Sequence, residues 1–321
     1  MYAVGDDVVL GKKDGAEISG VYLGVWQDRE WYWALSTNDL MWRVPEIREC
    51  IAAPKGYKIL AADYSQIEVK LMAFLSQDPV FLKALNTKDS SGQNTDIHCY
   101  MATEVYGQRL NFTYDDIVAA INDKKHLRYK ELKALRSNIK TTTFGVPYGA
   151  GKQRIAIMTG LTEDQAQQLI DDYFEKFPTL KKWIDAQGDM AIRYGFTMTP
   201  DGRKRFYTMP ARSDEDFDAE LKQIRRWAGN HPIQASNADM LKKALKLIYL
   251  RMRGGVLNGP KLYDGRLLLV VHDEIVMMVK EEDTEAVSQI MYDAMTEAYD
   301  SIITGIPNKI DVICDDTWEK V

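Results

Sequence analysis

The sequence predicts an α+β protein, with β-strands towards both ends of the chain and helices in its middle. Three β-rich runs near the N-terminus, Asp7–Leu10, Ile18–Trp26 and Glu30–Ser36, are separated by turns that contain Gly or Asp. Residues 79–224 mostly repeat their apolar side chains with the period of an α-helix. Two later β-rich runs flank an acidic turn, a pattern typical of a hairpin. Strands grouped apart from helices in this way indicate an α+β fold.

The composition favours an intracellular globular protein. A chain of 321 residues is long enough for two or three domains with their own cores. Its content of 45% hydrophobic and 27% charged residues is that of an ordinary globular protein. Charge interrupts every apolar run well before about 18 residues, so no membrane span is expected. The N-terminus lacks a basic segment followed by an apolar block, so no signal peptide is expected. Cys50, Cys99 and Cys314 form no C-x-x-C pair, which favours a reducing, cytoplasmic location and argues against structural zinc.

The basic residues are concentrated in two segments, although the net charge is −6. Residues 122–154 contain nine Lys or Arg against two Asp or Glu, and residues 222–253 contain eight against one. Residues 264–321 reverse the balance, to four against fourteen. Basic segments of this kind attract a phosphate backbone, although two solvated helix faces would give the same counts.

The first third of the chain places one carboxylate at the end of a strand. Residues 1–44 resemble a small SH3-like β-unit, whose aromatic residues are expected in its core, with base stacking or partner binding as the alternative. A predicted strand, Tyr57–Asp63, follows. Ser65–Glu68 then forms an S-x-x-E capping box, which predicts a helix to about Gln77. Asp63 is therefore expected beside a helix N-terminus.

One helical stripe carries two cations followed by two aromatic residues. Arg136, Lys140, Phe144 and Tyr148 follow one another at four-residue spacing, so on an α-helix they share one face. Such a stripe suits a ligand that is polyanionic at one end and flat at the other, such as a nucleoside triphosphate. An amphipathic helix with core aromatics and solvated cations would show the same pattern, and the stripe alone leaves both interpretations open.

A second basic helix is predicted to begin near Leu221. Its residues Arg226, Asn230 and Gln234 share a face, again at four-residue spacing. Pro232 falls within this span, so a bend or a restart of the helix is expected there.

The last part of the chain predicts a hairpin with an acidic turn. The runs Leu267–Val271 and Ile275–Val279 flank His272–Glu274. A helix, Thr284–Ile302, and a final strand, Lys309–Cys314, are predicted to follow.

Asp63 and Asp273, each expected at a strand end, are the residue type that a pair of Mg²⁺ ions needs. Mg²⁺ is usually held by one or two carboxylates together with substrate phosphates. Two such ions, about 3.5–4 Å apart, can activate an attacking hydroxyl and stabilise a leaving oxygen. Arg136 and Lys140 would then hold the triphosphate, and Lys140 could protonate the departing pyrophosphate. A single Asp would be interpreted as a turn or cap residue, but the two together with the cationic stripe favour catalysis.

Three motifs, in this order along the chain, resemble the A, B and C motifs of family A DNA polymerases, the bacterial DNA polymerase I type. They are D-Y-S-Q-I-E at Asp63–Glu68, R-x-x-x-K-x-x-x-F-G-x-x-Y-G at Arg136–Gly149, and V-H-D-E at Val271–Glu274. Asp96–His98 and Gly202–Arg205 are similar to further motifs of that family. The resemblance extends from about residue 45 to the C-terminus.

The resemblance implies template-directed DNA synthesis, in which dNTPs are added to a primer 3′-OH by two-metal nucleotidyl transfer. It assigns two Mg²⁺ ions, with Mn²⁺ as a substitute, to Asp63, Asp273 and the backbone carbonyl of Tyr64. Glu274 and Lys140 are implied as further catalytic residues.

The resemblance also implies contacts with nucleotide and with DNA. The residues implied to bind the incoming dNTP are Gln66, Glu68, His98, Arg136, Lys140, Phe144 and Tyr148. Of these, Glu68 would close the space of a ribose 2′-OH and so discriminate against ribonucleotides. The residues implied to face the primer–template are Arg226, Asn230, Gln234 and His272, and the amides among them can bond minor-groove acceptors common to all base pairs.

The family fold implies an antiparallel palm sheet and a large helical fingers subdomain. The palm would comprise residues 45–97 and 225–321, and the fingers residues 98–224, after the β-rich unit of residues 1–44. The family's proofreading exonuclease and helical thumb precede the first motif, where this sequence is β-rich, so neither an exonuclease nor a full thumb is expected. We therefore expect a second polypeptide with thumb and exonuclease as a partner, as in a split phage-type polymerase in the host cytoplasm.

The sequence departs from the family pattern at several positions. Thr143 replaces the usual Asn, Pro147 replaces an aliphatic residue, and Ala235–Ser236 replaces Gly-Thr. Pro147 removes a backbone donor, so the helix is expected to end early and Tyr148 to pivot differently. Phe144 lacks a hydroxyl, which by the family rule implies rejection of dideoxynucleotides.

Two other functions stay open at this point. A single-subunit RNA polymerase would share the same carboxylates, although Glu68 beside Tyr148 argues against it. A non-catalytic DNA-binding remnant would keep the charge pattern without the chemistry, although both carboxylates and both cations are present. A further alternative is that residues 1–44 are the functional interaction module and dock the missing thumb.

Overall fold

The computed structural model describes residues 7–13, 16–26, 29–35, 47–89 and 94–318. By its internal contacts the chain divides into two compact units. The first unit is made of residues 1–63, 249–292 and 311–321, and the second of residues 64–248 and 293–310. Antiparallel sheets and a large set of helices confirm the predicted α+β class.

The first three strands form an antiparallel sheet in the order β1–β2–β3. They are β1 (Asp7–Lys13), β2 (Ala16–Trp26) and β3 (Arg29–Leu35), which confirms the three predicted β-rich runs. The register shifts once in each pair, as at a β-bulge. The side chains of these strands, and residues 36–44 of the predicted unit, lie outside the described residues, so the expected roles of its aromatic side chains stay predictions.

The other strands are β4 (Tyr57–Tyr64), β5 (Phe196–Met198), β6 (Lys204–Phe206), β7 (Gly265–Val271), β8 (Glu274–Lys280) and β9 (Ile310–Asp315). Strands β5 and β6 form a small hairpin, which places the predicted Gly202–Arg205 turn partly within β6. The main sheet has the strand order β7–β8–β4–β9, and both β7 and β4 pair antiparallel with β8. The predicted strand before Ser65, the hairpin and the final strand are confirmed within two residues.

The helices are α1 (Ile67–Ser76), α2 (Pro79–Asn86), α3 (Ile97–Ala102), α4 (Gln108–Leu110), α5 (Tyr114–Asn122), α6 (Tyr129–Gly145), α7 (Lys152–Thr159), α8 (Glu163–Lys176), α9 (Pro178–Tyr194), α10 (Phe217–Arg251) and α11 (Thr284–Asp300). A 3₁₀ turn, Ile47–Cys50, precedes β4. The predicted helical middle is thus confirmed, and the predicted helix after the hairpin ends two residues early.

Each unit has an apolar core that fixes its sheet or helices. On the main sheet, Ile59 and Ala61 of β4 pack with Val276 of β8 and with Trp318 near the C-terminus. Alternate residues of a strand share a face, so Asp63 continues the face that carries Ile59 and Ala61. In the second unit, the buried Asp78 carboxylate caps α2 and also accepts from the backbone N–H of Leu180, which joins α2 to α9.

The expected capping box at Ser65–Glu68 is wrong. Helix α1 begins at Ile67, and Gln66 before it adopts a left-handed conformation with φ 58° and makes no side-chain cap. Glu68 is therefore the second residue of the helix, not the third, so its carboxylate cannot reach back to a cap at Ser65 as the motif requires.

Of the bend or restart expected at Pro232, the restart is wrong. Helix α10 begins at Phe217, four residues before the predicted start, and continues through Pro232 to Arg251. A proline costs a helix one backbone hydrogen bond. The surrounding residues Ala228, Gly229 and Ile233 are buried, and this packing stabilises the helix across the missing bond.

None of the helices in the described part of the chain is both long and apolar enough to cross a lipid bilayer.

Candidate active site

Strand register brings acidic residues to one end of the main sheet. Asp63 lies directly opposite Glu274 in the antiparallel pair of β4 and β8, so both side chains are on the same face. His272 and Asp273 form the two-residue turn between β7 and β8, and His272 is left-handed there, with φ 56°. The structure therefore places Asp63 and Asp273, which are 210 residues apart in sequence, at the same sheet end.

The Asp63 carboxyl lies in surroundings that disfavour its charged form. Burial raises the pKa of Asp63 to about 7, and repulsion from Asp273 and then from Glu274 adds to the effect. Its Oδ1 is buried and has no hydrogen-bond partner among the described residues. A buried carboxylate oxygen without a donor, beside a second carboxylate, is a place where a cation would relieve an electrostatic cost.

The donor set fits a hard cation such as Mg²⁺, because carboxylate oxygens are its preferred protein ligands. Within the described ranges, no group of three or more His, Cys, Asp or Glu side chains is arranged to hold a metal by itself. Mg²⁺ commonly takes one or two carboxylates from the protein and completes its shell with substrate phosphates and water. The pair Asp63 and Asp273 fits a metal that is bound together with its substrate.

Glu274 is buried, and both of its carboxylate oxygens are engaged. Oε2 pairs with Nη2 of Arg48 at 2.9 Å. Oε1 accepts from Nη1 of Arg48 at 3.1 Å and from Nε1 of Trp318 at 2.6 Å. The role that the sequence assigned to Glu274 stays a prediction, and the structure adds that two residues from distant segments hold its side chain.

Tyr64 and His272 occupy contrasting positions. Tyr64 ends β4 with a buried side chain, and its hydroxyl donates to the backbone carbonyl of Met295 at 2.8 Å. Burial raises the pKa of this phenol, so the hydroxyl stays protonated and the hydrogen bond fixes the residue. His272, at the hairpin turn, is exposed.

Helix α6 in the second unit carries three of the four predicted stripe residues. Arg136 donates to Oδ2 of Asp96 from Nη2 at 2.7 Å and from Nε at 3.1 Å. Burial alone would raise the pKa of Asp96, but the hydrogen bonds from Arg136 and from the backbone outweigh it, and the pKa is lowered. Lys140, one turn along, is exposed and makes no ion pair with a described residue. Phe144 is half-buried at the end of the stripe.

His98 is buried beside Phe144, with a ring-centroid distance of 5.7 Å. Burial lowers the pKa of His98 to about 4, so the imidazole is neutral at pH 7. Its Nδ1 has no hydrogen-bond partner in the described structure. A neutral imidazole offers one N–H donor, and in the Nδ1–H tautomer that donor is unsatisfied until a ligand supplies an acceptor.

Glu68 is the centre of a three-residue hydrogen-bond network. Its Oε2 accepts from the hydroxyl of Tyr148 at 2.5 Å, and its Oε1 accepts from Nε2 of Gln234 at 2.7 Å. Gln234 Nε2 also contacts the Tyr148 hydroxyl. Burial, and then the hydrogen bond to Glu68, raise the pKa of Tyr148, so its hydroxyl remains a donor. The network therefore holds the Glu68 carboxylate in one orientation.

The chain after α6 forms a tight turn that positions Tyr148. The helix ends at Gly145, as the proline predicted, because Pro147 cannot donate a backbone hydrogen bond. Ala150 N–H donates to the Gly145 carbonyl and Gly149 N–H to the Val146 carbonyl, which is a Schellman motif. Tyr148 therefore lies in the turn and not on the helix itself.

Gly149 is required in this turn for two reasons. Its φ is +77°, and a Cβ built on it would clash with the side chain of Arg226. We expect Gly149→Ala to lower the free energy of unfolding by about 1–2 kcal/mol for the left-handed backbone alone, and further for the clash. Gly160→Ala is the matched control, because Gly160 also has a positive φ, +73°, but no atom of the described residues lies within 4 Å of its Cβ position.

Urea unfolding of the two variants measures the difference. A cost for Gly149→Ala that is no larger than that for Gly160→Ala would contradict the tight packing of the turn against Arg226.

Helix α10 carries Arg226, Asn230 and Gln234 on one face, as its spacing predicted. Arg226 is exposed, and Oδ1 of Asn230 is buried without a hydrogen-bond partner among the described residues. Gln234 belongs to the Glu68 network. The face thus runs from an exposed cation to the residues that hold Glu68.

Two cavities border these residues. One, of about 860 Å³, is lined by Phe144 and Tyr148 together with Lys152, Arg154 and Arg226. The other, of about 630 Å³, is lined by the exposed Gln66 and by three lysines, Lys70, Lys88 and Lys309. Both cavities therefore combine cations with residues of the first or second motif.

Sequence reasoning missed several residues that contact the predicted site. Lys152 and Arg154 were visible only as members of a basic run, and their place beside Tyr148 follows from the turn after α6. Arg48 and Trp318 carried no signal, because their contacts with Glu274 span 226 and 44 residues of sequence.

Comparison with known proteins places the chain in a family. A model of DNA polymerase family A matches residues 42–320. DNA polymerase I of Chloroflexus aurantiacus is 29% identical over 276 residues, which cover 86% of this chain and 26% of that protein. The thermostable DNA polymerase I of Thermus aquaticus is 28% identical over 276 residues, covering 85% of this chain and 28% of that protein.

A solved structure shows the same fold over most of the chain. The POL domain of Pol1 from M. smegmatis, in complex with DNA primer-template and dNTP, superposes with a TM-score of 0.66 at 26% identity. The match covers 85% of this chain and 42% of that one, whereas the chain spans about a quarter of the length of the two curated relatives. With motifs, fold and family model in agreement, the chain belongs to DNA polymerase family A.

Proposed function

We propose that this chain catalyses template-directed DNA synthesis, adding dNTPs to the 3′-OH of a primer. In this reaction the 3′ oxygen bonds to the α-phosphorus of the dNTP, and pyrophosphate leaves. The observation that carries the proposal is the Asp63 carboxyl, whose buried Oδ1 has no hydrogen-bond partner in the described part of this family A chain and which lies beside Asp273. Such a pair has little structural value by itself, because like charges held together destabilise the fold.

Asp63, Asp273 and the backbone carbonyl of Tyr64 would hold the two Mg²⁺ ions, and Mn²⁺ would substitute for them. Bound there, the ions supply Lewis-acid activation of the primer hydroxyl and neutralise charge on the leaving oxygen. The protein contributes preorganisation, because the β4–β8 register and the two-residue turn fix the carboxylates before substrate binds.

The second unit would bind the dNTP. Lys140 is an exposed cation one turn from Arg136, and it would bind the phosphates and protonate the pyrophosphate as it leaves. Arg136 is oriented by Asp96, and Nδ1 of His98 has no hydrogen-bond partner among the residues that the structure describes. Phe144 and Tyr148 would pack against sugar and base, Gln66 would contact the triphosphate, and Glu68 would exclude a 2′-OH.

The DNA would lie on basic and amide-bearing surfaces. Arg226, Asn230, Gln234 and His272 are proposed to face the primer–template. The cavity that Phe144 and Tyr148 share with Lys152 and Arg154 suits a single strand, because cations follow its phosphates and aromatic rings stack on its bases.

Single-nucleotide addition tests the proposal. The purified chain is mixed with a primed template and each dNTP in turn, in Mg²⁺, in Mn²⁺ and in EDTA. We expect extension only by the nucleotide that the template specifies, and none in EDTA. A chain that binds the primed template but extends it in neither metal would contradict the proposal.

We also propose which segments form the palm and the fingers, and that this chain works together with a second polypeptide. By function, residues 45–97 and 225–321 would form the palm and residues 98–224 the fingers. A second polypeptide would bind this chain and supply a thumb and exonuclease, as in a split phage-type polymerase. The complex would work in the cytoplasm, without membrane contact. Affinity capture of the tagged chain from its source tests whether it binds a second polypeptide. Synthesis of long DNA products by the isolated chain would contradict the requirement for that polypeptide.

A further inference from the structure

The carboxylate of Glu274, next to Asp273, is buried and held by two other side chains. Glu274 is 4% exposed, and its two oxygens receive three donors from Arg48 and Trp318. The guanidinium of Arg48 also lies 4.2 Å from the centre of the Trp318 ring. The three side chains thus form a closed cluster, in which each contacts the other two.

The cluster joins three segments that are distant in sequence. Thr317 pairs with Ala52 in an isolated antiparallel bridge, and Trp318 N–H donates to the carbonyl of Ile51 at 2.9 Å. These backbone bonds bring Trp318 to the segment that begins with the 3₁₀ turn of Arg48. The indole N–H therefore reaches Glu274 from a main chain that is itself fixed.

A purely structural explanation is weak for such a cluster. Burying a carboxylate and a guanidinium costs free energy, and apolar residues of similar volume often stabilise a fold as well or better. The apolar core of this sheet face, with Ile59, Ala61 and Val276, adjoins Glu274 directly and could have continued through it. What the charged cluster provides, and an apolar core would not, is a fixed orientation of the Glu274 side chain.

We infer that Glu274 is a positioning residue, and that Arg48 and Trp318 hold it so that the turn carrying Asp273 keeps one geometry opposite Asp63. The inference rests on the proposed function, since it concerns the geometry of the proposed metal carboxylates. Glu274 is the register partner of Asp63 and the chain neighbour of Asp273, so its side chain fixes both at once. An ionised carboxylate has about four lone-pair sites, and three of those on Glu274 already have donors from Arg48 and Trp318, so we assign it no ion.

Trp318→Phe and Arg48→Lys test the inference with small changes. The first keeps the ring beside Arg48 but removes the indole donor, and the second keeps the charge but removes the forked pair. Residues that orient metal ligands typically affect metal affinity or activity about 10–100-fold. We expect each variant to weaken Mn²⁺ binding about tenfold, measured by the EPR signal of the free ion with and without dNTP. For single-nucleotide addition, kcat should fall by about the same factor, while the KM for dNTP stays within about twofold.

Lys58→Met is the matched control, because Lys58 pairs with Asp316 at 2.8 Å and so ties β4 to the same C-terminal segment without touching Glu274. It should leave Mn²⁺ binding unchanged, and urea unfolding shows that each variant is folded. Asp63→Asn is the reference variant, because it removes one of the two proposed metal carboxylates. If it binds Mn²⁺ as the wild type does, the proposed function fails and the inference with it.

Three results would overturn the inference while the proposed function stands. One is wild-type Mn²⁺ binding and kcat in both Trp318→Phe and Arg48→Lys. Another is an equal loss in Lys58→Met, which would show a general loosening of the C-terminal segment. The third is Glu274→Gln with the full defect of Asp63→Asn while Trp318→Phe is normal, which would make Glu274 a ligand.

Discussion

Asp63→Asn is expected to lower the rate of nucleotide addition roughly 10³-fold and, in the same protein, to raise its free energy of unfolding. The rate should fall because the proposed two-ion catalysis would supply several kcal/mol of transition-state stabilisation, and about 1.4 kcal/mol corresponds to a factor of ten. An amide keeps the shape of the carboxyl but not its charge. Stability rises because the native carboxylate is buried and repelled by Asp273 and Glu274.

The pH dependence of this stability gain has a definite sign. In the fold the pKa of Asp63 is raised to about 7 from 3.8, so the folded protein binds the proton more tightly than the unfolded chain does. The wild type therefore loses stability as pH rises from about 4 to about 7. The Asn variant does not lose stability in this way. Its free energy of unfolding should therefore equal that of the wild type below about pH 4 and exceed it by the full amount above about pH 7. Urea unfolding in EDTA across this range measures it, because the chelator removes any stabilising cation.

Asp273→Asn should show the same loss of rate, and Glu285→Gln is the control for removing one acidic charge. Glu285 is an exposed residue of α11 in the same unit, so neither rate nor stability should change appreciably. If Asp273→Asn adds nucleotides at the wild-type rate, the catalytic role proposed for the Asp63–Asp273 pair is contradicted. That result would favour the non-catalytic DNA-binding interpretation. A fall in stability for Asp63→Asn at pH 8 would contradict the electrostatic strain assigned to that carboxyl.

The sequence predicted the hairpin and the strand before Ser65 well, because their signals are local. Because β-rich residues lie on both sides of His272–Glu274, those three residues are predicted to form a tight turn. Once two strands pair with β8, the position of Asp63 opposite Glu274 follows from register and not from further information in the sequence. Distant residues can thus be predicted to meet when strand pairing is what joins them.

The remaining features depended on tertiary contacts. The motif Ser65–Glu68 has the spacing of a capping box, yet the Glu68 carboxylate bonds Tyr148 and Gln234 instead. Those partners are 80 and 166 residues away, and no local pattern encodes the competition between them and a cap. Pro232 fails as a helix breaker for a similar reason, since burial around it outweighs one lost hydrogen bond.

Glu68→Ala is expected to reduce the preference for dNTP over ribonucleotide about 100-fold, which is about the discrimination that a pocket exerts against an analogue with one added hydroxyl. In the structure the carboxylate is held on both oxygens, by Tyr148 and by Gln234. In its proposed role these bonds would keep it in the space of a ribose 2′-OH. Ala removes this obstacle. The measurement is kcat/KM for dATP and ATP opposite the same template base, compared between wild type and variant.

Glu68→Gln separates volume from charge in this selection, because it keeps the side chain's size and can still bond Tyr148 and Gln234. If steric exclusion is the cause, Gln retains most of the selectivity and Ala loses it. Equal losses in both variants would assign the selection to the carboxylate charge. A wild-type ratio in Glu68→Ala would contradict the role of Glu68, and a wild-type protein that prefers ATP would restore the single-subunit RNA polymerase interpretation, since the same carboxylate pair serves either substrate.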